Sequence, residues 1–375
     1  MVVNFEKVVK FVTFAKKWSF MGKLDEIYSA WLSMQPLSAD SKTRLDRKFM
    51  LDFNYNSNHI EGNTLTYGQT EVLLLMGEVI GTAKMKDLED MKAHHLCLRL
   101  MEEEASRADH LSESFVKRLH QVMLREDYTV YRQLPGGQQT SYVVHAGTYK
   151  TRPNSVITPS GERFEYASPE ETPALMYELI EWYNKEEKAG KLSPVELAAL
   201  FHYRYIRIHP FEDGNGRIAR LLVNFILLRH NYPMVVVLSR KKRAYLNALG
   251  MCDALVGPVP SDGAKATIAQ IQPFVKYMTG LMISVISQNI AYIETDPGNA
   301  WWYDGEIISF RSERTVILLN YLKKNAKATI AELSAVLGIN PSAVQKQLVN
   351  LSQKGYITKT PSTNEWRVIA ISTTK

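Results

Sequence analysis

Cysteine is nearly missing from this chain: two residues in 375, Cys97 and Cys252, far apart and in no CxxC pair. That excludes a disulfide framework and a thiolate zinc site, and it fits a reducing compartment. Long hydrophobic runs are also lacking. The most apolar stretch, Leu221–Leu238, is interrupted by Arg229, His230 and Pro233, so it reads as a buried helix and a short buried segment rather than a membrane span. The start, MVVNFEKVVKF, puts Glu6 and Lys7 where a signal peptide needs unbroken apolar residues, so a cytoplasmic location without a membrane partner is expected. Glycine (20) and proline (15) are too few for a collagen-like or low-complexity chain. Neither Gly22-Lys23 nor Gly190-Lys191 precedes Ser or Thr, which removes a Walker A site, and no HExxH, GxSxG or GxGxxG occurs. His94 and His95 are neighbours on a helical run, face apart, and make a poor metal pair.

What remains is a globular composition, 45% hydrophobic and 22% charged, on a chain long enough for two or three domains. The net charge of +6 is placed unevenly. Residues 305–375 carry ten basic side chains against four acidic ones, and the rest of the chain balances at 35 of each. A basic tail suits a polyanionic partner, with a solvated face as the plain alternative.

Helical periodicity dominates, so the fold class is mainly α. Val8, Val9, Phe11, Val12 and Phe14 make one apolar stripe, and the pattern predicts helices over Leu45–His59, Thr70–Gly81, Asp87–Glu104 and Ser112–Arg125. Gly62-Asn63 is a stop signal. Residues 134–163, rich in Gly, Pro, Thr and β-branched types, predict a loop and a short hairpin. Helices resume over Thr172–Asn184, Pro194–Ile208, Ile218–His230, Arg243–Leu255 and a long one near Lys265–Ile293. Asp296–Gly305 (DPGNAWWYDG) reads as a linker.

The tail then reads as a winged helix-turn-helix, a pattern that protein-binding modules share with DNA readers. A helix over Arg314–Lys323 is followed by two more, split by Gly338 and restarted by Asn340-Pro341. Ile330, Leu333 and Leu337 line one face; Val344, Leu348 and Leu351 line the next. Tyr356–Lys359 and Trp366–Ile369 alternate like the strands of a wing around Pro361–Asn364.

The chemistry concentrates in HPFEDGNGRIAR, His209–Arg220. A helix ends near Ile208 and another begins near Gly216. Between them Gly214-Asn215-Gly216 can take positive φ and turn successive N–H groups toward an anion, best a phosphate. Arg217 and Arg220, three apart, share one face of the new helix, and two guanidinium forks suit a polyphosphate. Asp213 beside phosphates is favourable if it holds Mg²⁺. His209 can accept a proton near neutral pH. Pro210 fixes the backbone after it, and Phe211 points into the core.

This segment meets every fixed position of the Fic family signature, His-Pro-Phe-x-Asp-Gly-Asn-Gly-Arg-x-x-Arg, which it therefore resembles. The resemblance implies a helical bundle with a β-hairpin flap, and a transfer of AMP from ATP to a Ser, Thr or Tyr hydroxyl of a protein partner. It makes His209 the general base and Asp213 the Mg²⁺ ligand. It gives Gly214, Asn215, Gly216 and Arg217 the α- and β-phosphates, and Arg220 the γ-phosphate. Upstream, Ser57-Asn58-His59-Ile60-Glu61-Gly62 is similar to the inhibitory helix of class II members. There Glu61 would pair with Arg220 and misorient the α-phosphate for in-line attack. The flap counterpart is Thr151–Ile157, so Asn154, Ser155, Val156 and Ile157 would register the target; a plain surface hairpin is the alternative. Tyr245 and Asp253 fall where relatives contact the nucleoside, although a buried tyrosine or a surface aspartate is as ordinary.

The expected organisation is an N-terminal inhibitory region (1–110), a Fic core (111–295) and a winged helix (304–375). Alternatives are removal of AMP from a modified protein with Glu61 orienting the water, a DNA-binding regulator sensing a nucleotide, and transfer of another phosphate-bearing group. The target, any DNA sequence and a homodimer are left open.

Overall fold

Local chemistry fixes where the principal helices start and stop. Ser193 accepts from the N–H of Glu196, whose carboxylate answers Ser193, and Pro194 opens the helix Pro194–Ile208. Thr329 and Glu332 do the same for Ile330–Leu337, which Gly338 ends in the left-handed region at φ 61°. The structure, a computed structural model, describes residues 22–107, 109–133, 138–157, 163–294, 300–310, 312–360 and 363–372. The expected apolar stripe Val8–Phe14 lies outside the described residues.

In chain order the helices are α1 (22–33), α2 (Ala39–Ile60), α3 (Tyr67–Met76), α4 (Met85–Ala105), α5 (Glu113–Leu124), α6 (Thr172–Ala189), α7 (Pro194–Ile208), α8 (Asn215–Arg229), α9 (Lys242–Val256), α10 (Pro260–Ala264), α11 (Gln272–Glu294), α12 (Glu313–Lys324), α13 (Ile330–Leu337) and α14 (Pro341–Gln353). The strands are β1 (Tyr128–Gln133), β2 (Gln139–Val144), β3 (Ser155–Ile157), β4 (Arg163–Glu165), β5 (Ala300–Tyr303), β6 (Glu306–Ser309), β7 (Ile357–Lys359), β8 (Trp366–Val368) and β9 (Ile371–Ser372). Among the described residues every pairing is antiparallel: β1–β2, β3–β4, β7–β8 and a three-stranded β6-β5-β9 sheet. The fold is mainly helical with small hairpins, as the periodicity predicts. Among the described residues no helix is long and apolar enough to cross a membrane.

The chain forms two units, one of residues up to Leu37 with Cys97–Ser287, the other of Ser38–Leu96 with Gln288–Lys375. In the first, α7 and α8 supply the core: Phe201, Tyr205, Ile208, Leu221, Phe225 and Ile226 are inaccessible to solvent. Burial of that many large apolar side chains is the main force holding the two helices together. Tyr28 stacks on Tyr232 at 4.0 Å and ties α1 to the same unit.

In the second unit α2 and α3 share buried polar contacts with the end of α11, the β5 strand and turn, and the wing. Asp52 of α2, 2% exposed, accepts from Tyr67 Oη (2.8 Å), Trp302 Nε1 (2.7 Å) and Gly305 N (3.2 Å). Glu71 of α3 is fully buried between Arg47 and Arg367, the latter from wing strand β8. Lys48 lies 3.7 Å from the Trp302 ring centre and donates to Asn289 Oδ1 at 3.0 Å. The winged part has its own core of Leu318, Leu319, Leu333, Val344, Leu348 and Leu351. Ile330, expected on the inner face, is 39% exposed because it opens α13 at the rim.

Two expectations need correction. Residues 300–305 are not linker but β5 and its turn, where Asp304 and Gly305 take φ 45° and 75° and bury Trp301 and Trp302. Residues 296–299 of that segment are outside the described residues. The long last helix starts at Gln272 rather than near Lys265. Gln270 Oε1 accepts from both the N–H and the hydroxyl of Thr267, a local bond that competes with the helix, and Pro273 follows in the first turn.

Candidate active site

His209 is the C-cap of α7. Its N–H donates to Tyr205 O at 2.8 Å, and its φ of 51° puts a non-glycine residue in the left-handed region. That conformation costs about 1–3 kcal/mol and persists only where neighbours enforce it. Tyr166, which the sequence did not single out, stacks on the imidazole at 4.0 Å and 14°, and burial pushes its phenol up to about 12.

The loop after His209 is closed from within. Asn215 accepts from Phe211 N (3.0 Å) and donates to Phe211 O (2.6 Å), so its side chain staples the loop. Phe211 is fully buried, as expected, and stacks on His120 at 3.8 Å and 4°. His120, also fully buried, accepts from Gly147 N through Nδ1 (2.9 Å), so Nε2–H donates to Asp213 O (3.1 Å). Burial holds its pKa down, at about 4, despite the attraction of Asp213. This histidine is neutral at ordinary pH and acts as a strut.

Gly214 caps α8 at φ 76°, and the first helical bond runs from Ile218 N to Gly214 O at 3.0 Å. The N–H groups of Asn215, Gly216 and Arg217 precede that bond and have no partner within the helix, which is the anion-binding geometry of a helix start. Arg217 and Arg220 are 5% and 4% exposed, so two guanidiniums stand in a largely desolvated place. Their charge is felt nearby: burial first, then Arg220, holds His202 down to about 3. Arg217 Nη2 lies 3.7 Å from Asp213 Oδ2.

Asp213 keeps 44% of its side chain exposed, and its Oδ2 accepts from Tyr128 Oη of β1 at 2.7 Å. One carboxylate, steadied by a phenol beside a helix start open to an anion, has the chemistry to hold a magnesium ion completed by ligand oxygens and water. Among the described residues no group of three or more His, Cys, Asp or Glu forms an all-protein cage.

The flap expected at Thr151–Ile157 ends in β3, paired with β4. Its first half is bound to the loop: Thr151 donates to Glu212 Oε1 from N (3.3 Å) and Oγ1 (3.1 Å), and Asn154 Nδ2 donates to Phe211 O (2.9 Å). Ser155 is exposed, and Val156 and Ile157 pair through their backbones with Phe164 and Arg163. Tyr245 is 3% exposed with its hydroxyl 2.8 Å from His202 Nε2. Asp253 accepts from Tyr203 Oη (2.8 Å) and Arg207 Nη1 (3.2 Å). Both therefore brace α9 against α7. In the second unit, Glu61 is the C-cap of α2, and Ser57 Oγ lies 3.0 Å from Nε2 of His94, whose Nδ1 is 2.7 Å from Asn54 Oδ1. His94 is thus engaged with α2.

Comparison with known proteins agrees with this geometry. A sequence profile described as "Fic/DOC family" matches residues 110–227, and one described as "Winged helix-turn-helix DNA-binding" matches residues 312–358. Protein adenylyltransferase fic-1 of Caenorhabditis briggsae is 27% identical over 256 residues, 68% of this chain and 44% of that protein. Protein adenylyltransferase Fic of Drosophila mojavensis is 28% identical over 228 residues, 60% of this chain and 38% of the relative. The chain thus spans less than half the length of these curated relatives. A Fic domain-containing signalling protein from Bacteroides thetaiotaomicron has a solved structure 52% identical, with TM-score 0.67, covering 72% of this chain and 96% of its own. A Fic family protein from Desulfovibrio desulfuricans, 20% identical with TM-score 0.56, covers 93% and 94% and shares the fold. With the complete His209–Arg220 signature on a shared fold, the chain belongs to the Fic family, its Fic domain followed by a C-terminal winged helix-turn-helix.

Proposed function

We propose that the chain transfers AMP from ATP to a Ser, Thr or Tyr hydroxyl of a protein, and that Glu61 restrains this transfer. The observation that carries the reading is the meeting of His209 with the open N-terminus of α8 and two buried arginines. Phosphates fit those N–H groups, and Arg217 and Arg220 answer the charge of a triphosphate. A target hydroxyl placed by the flap gives its proton to His209 as its oxygen attacks the α-phosphorus. The bond from that phosphorus to the β-phosphate oxygen breaks, pyrophosphate leaves with the electron pair, and AMP remains as a phosphodiester on the protein. Asp213, oriented by Tyr128, would hold Mg²⁺, which neutralises phosphate charge. General-base assistance is typically about 10²–10⁴-fold, and aligned attack adds to it.

Support for the restraint is the Ser57–Gly62 pattern at the end of α2 together with the demand of a γ-phosphate for Arg220. The test uses ATP labelled at the α- or the γ-phosphate with the full chain, its Glu61→Gly form and Mg²⁺. Label on protein from the α-position alone, greater in Glu61→Gly, is expected. Label from the γ-position, or none from either in any form, would sink the reading.

A further inference from the structure

The carbonyls of Ile208, His209, Pro210 and Phe211 all turn toward one short stretch of chain, residues 150–154. Lys150 Nζ donates to Ile208 O (3.0 Å) and His209 O (2.9 Å), and Lys150 N donates to Pro210 O (2.9 Å). Asn154 Nδ2 takes Phe211 O (2.9 Å), while Asn154 Oδ1 accepts the third bond of the Lys150 ammonium (2.8 Å). Two residues therefore hold four consecutive carbonyls at the point where α7 gives way to the loop. Lys150 is 3% exposed, so its charge is answered by these oxygens rather than by water.

We infer that Lys150 is a positioning residue for His209: its ammonium clamps the end of α7 and the His209 carbonyl, which holds the imidazole in the left-handed conformation the site requires. The inference rests on the proposed function, in which His209 is the base. Three observations support it beyond the distances. His209 has φ 51°, a conformation that a non-glycine residue keeps only when its flanking peptide groups are fixed. A lysine is rarely this buried unless paired, and the three acceptors match the three protons of an ammonium in number. The same ammonium also joins the flap to the loop, so the group that places the base also places Asn154, four residues along. Burial pushes Lys150 down to about 7 against the pull of Glu171, a sign of how fully the site desolvates it.

The experiment compares Lys150→Met, Lys150→Arg and His209→Ala, made in the parent or the Glu61→Gly form, whichever transfers more. Single-turnover AMP transfer and ATP affinity are measured on each. Misplacing a catalytic group by about 1 Å costs roughly 100-fold, so Lys150→Met should lower kcat by about that factor while ATP affinity stays within about threefold. Lys150→Arg, which keeps charge and several donors, should recover at least about tenfold of the loss. If Lys150→Met does not fold, Lys150→Gln, which keeps a donor without the charge, is read in its place with the same expectation. A Lys150 variant that keeps its kcat, or that loses ATP affinity in step with rate, or an Arg form no better than the Met form, overturns the inference. Transfer surviving in His209→Ala would instead overturn the proposed function, so the two failures are told apart.

Discussion

His120 predicts an acid sensitivity that can be calculated from its surroundings. Its imidazole is fully buried and its pKa is held at about 4, against an ordinary 6.5. Between those values the unfolded chain takes up a proton that the folded chain refuses, so folding stability is complete above about 6.5 and falls as the pH drops toward 4. The difference of roughly 2.5 pK units, at about 1.4 kcal/mol each, amounts to about 3 kcal/mol. The perturbation is His120→Gln, which keeps a donor for Asp213 O and cannot titrate. Leaving Gly147 N without its acceptor costs about 1–3 kcal/mol at every pH, so the absolute stability of the variant is not the readout. Urea unfolding followed by far-UV circular dichroism at pH 7.5 and 4.5 is. The loss of stability between the two should be smaller in the variant by about 2–3 kcal/mol. His202, held down to about 3, contributes in the same direction and is common to both proteins. An equal acid loss in parent and variant would refute the reasoning.

Other consequences follow from single contacts. Tyr128→Phe removes the phenol that steadies Asp213, and the Mg²⁺ concentration for half-maximal transfer should rise by roughly tenfold; an unchanged requirement would separate Tyr128 from the metal. Asp52→Ala leaves Trp302 Nε1, Tyr67 Oη and Gly305 N without their shared acceptor and Lys48 without its counter-charge. It should cost about 3–5 kcal/mol, read as a lower urea midpoint. The exposed face of α14, with Ser342, Gln345 and Lys346, predicts duplex DNA binding by the full chain that weakens with salt at a log–log slope of about −0.9 per phosphate neutralised. No binding at low salt would leave α14 as a protein-docking face.

The elements around the site were legible because their signals are local. Ser193-Pro194 starts α7, Gly214 starts α8, and Gly338 with Asn340-Pro341 makes the turn of the winged helix. The motif residues His209, Asp213, Arg217 and Arg220 were legible because they lie within twelve residues, on the end of α7, the loop after it and the first turns of α8. His120, Tyr128, Lys150 and Tyr166 were not singled out. The first three bond the loop from residues 58 to 93 positions away, and Tyr166 stacks on His209 from a separate strand region. No period or spacing records such a contact. The β5 strand was hidden for another reason: its Trp301-Trp302 pair is short and flanked by turn residues, and its partners, β6 and the later β9, supply the pairing that makes it a strand. Tyr245 and Asp253 were named through the family resemblance, but their bonds to α7 depend on how α9 packs and leave no mark in the sequence.

The central claim is that His209 moves the proton in an AMP transfer restrained by Glu61, and four proteins test it: the parent, Glu61→Gly, His209→Ala and the double variant. Each is incubated with α-labelled ATP and Mg²⁺, and label on protein is measured beside ATP affinity. The account predicts weak labelling of the parent, strong self-labelling of Glu61→Gly, and loss of label by at least about 100-fold in both His209→Ala forms with ATP still bound. Label persisting in the double variant at the level of Glu61→Gly would contradict it.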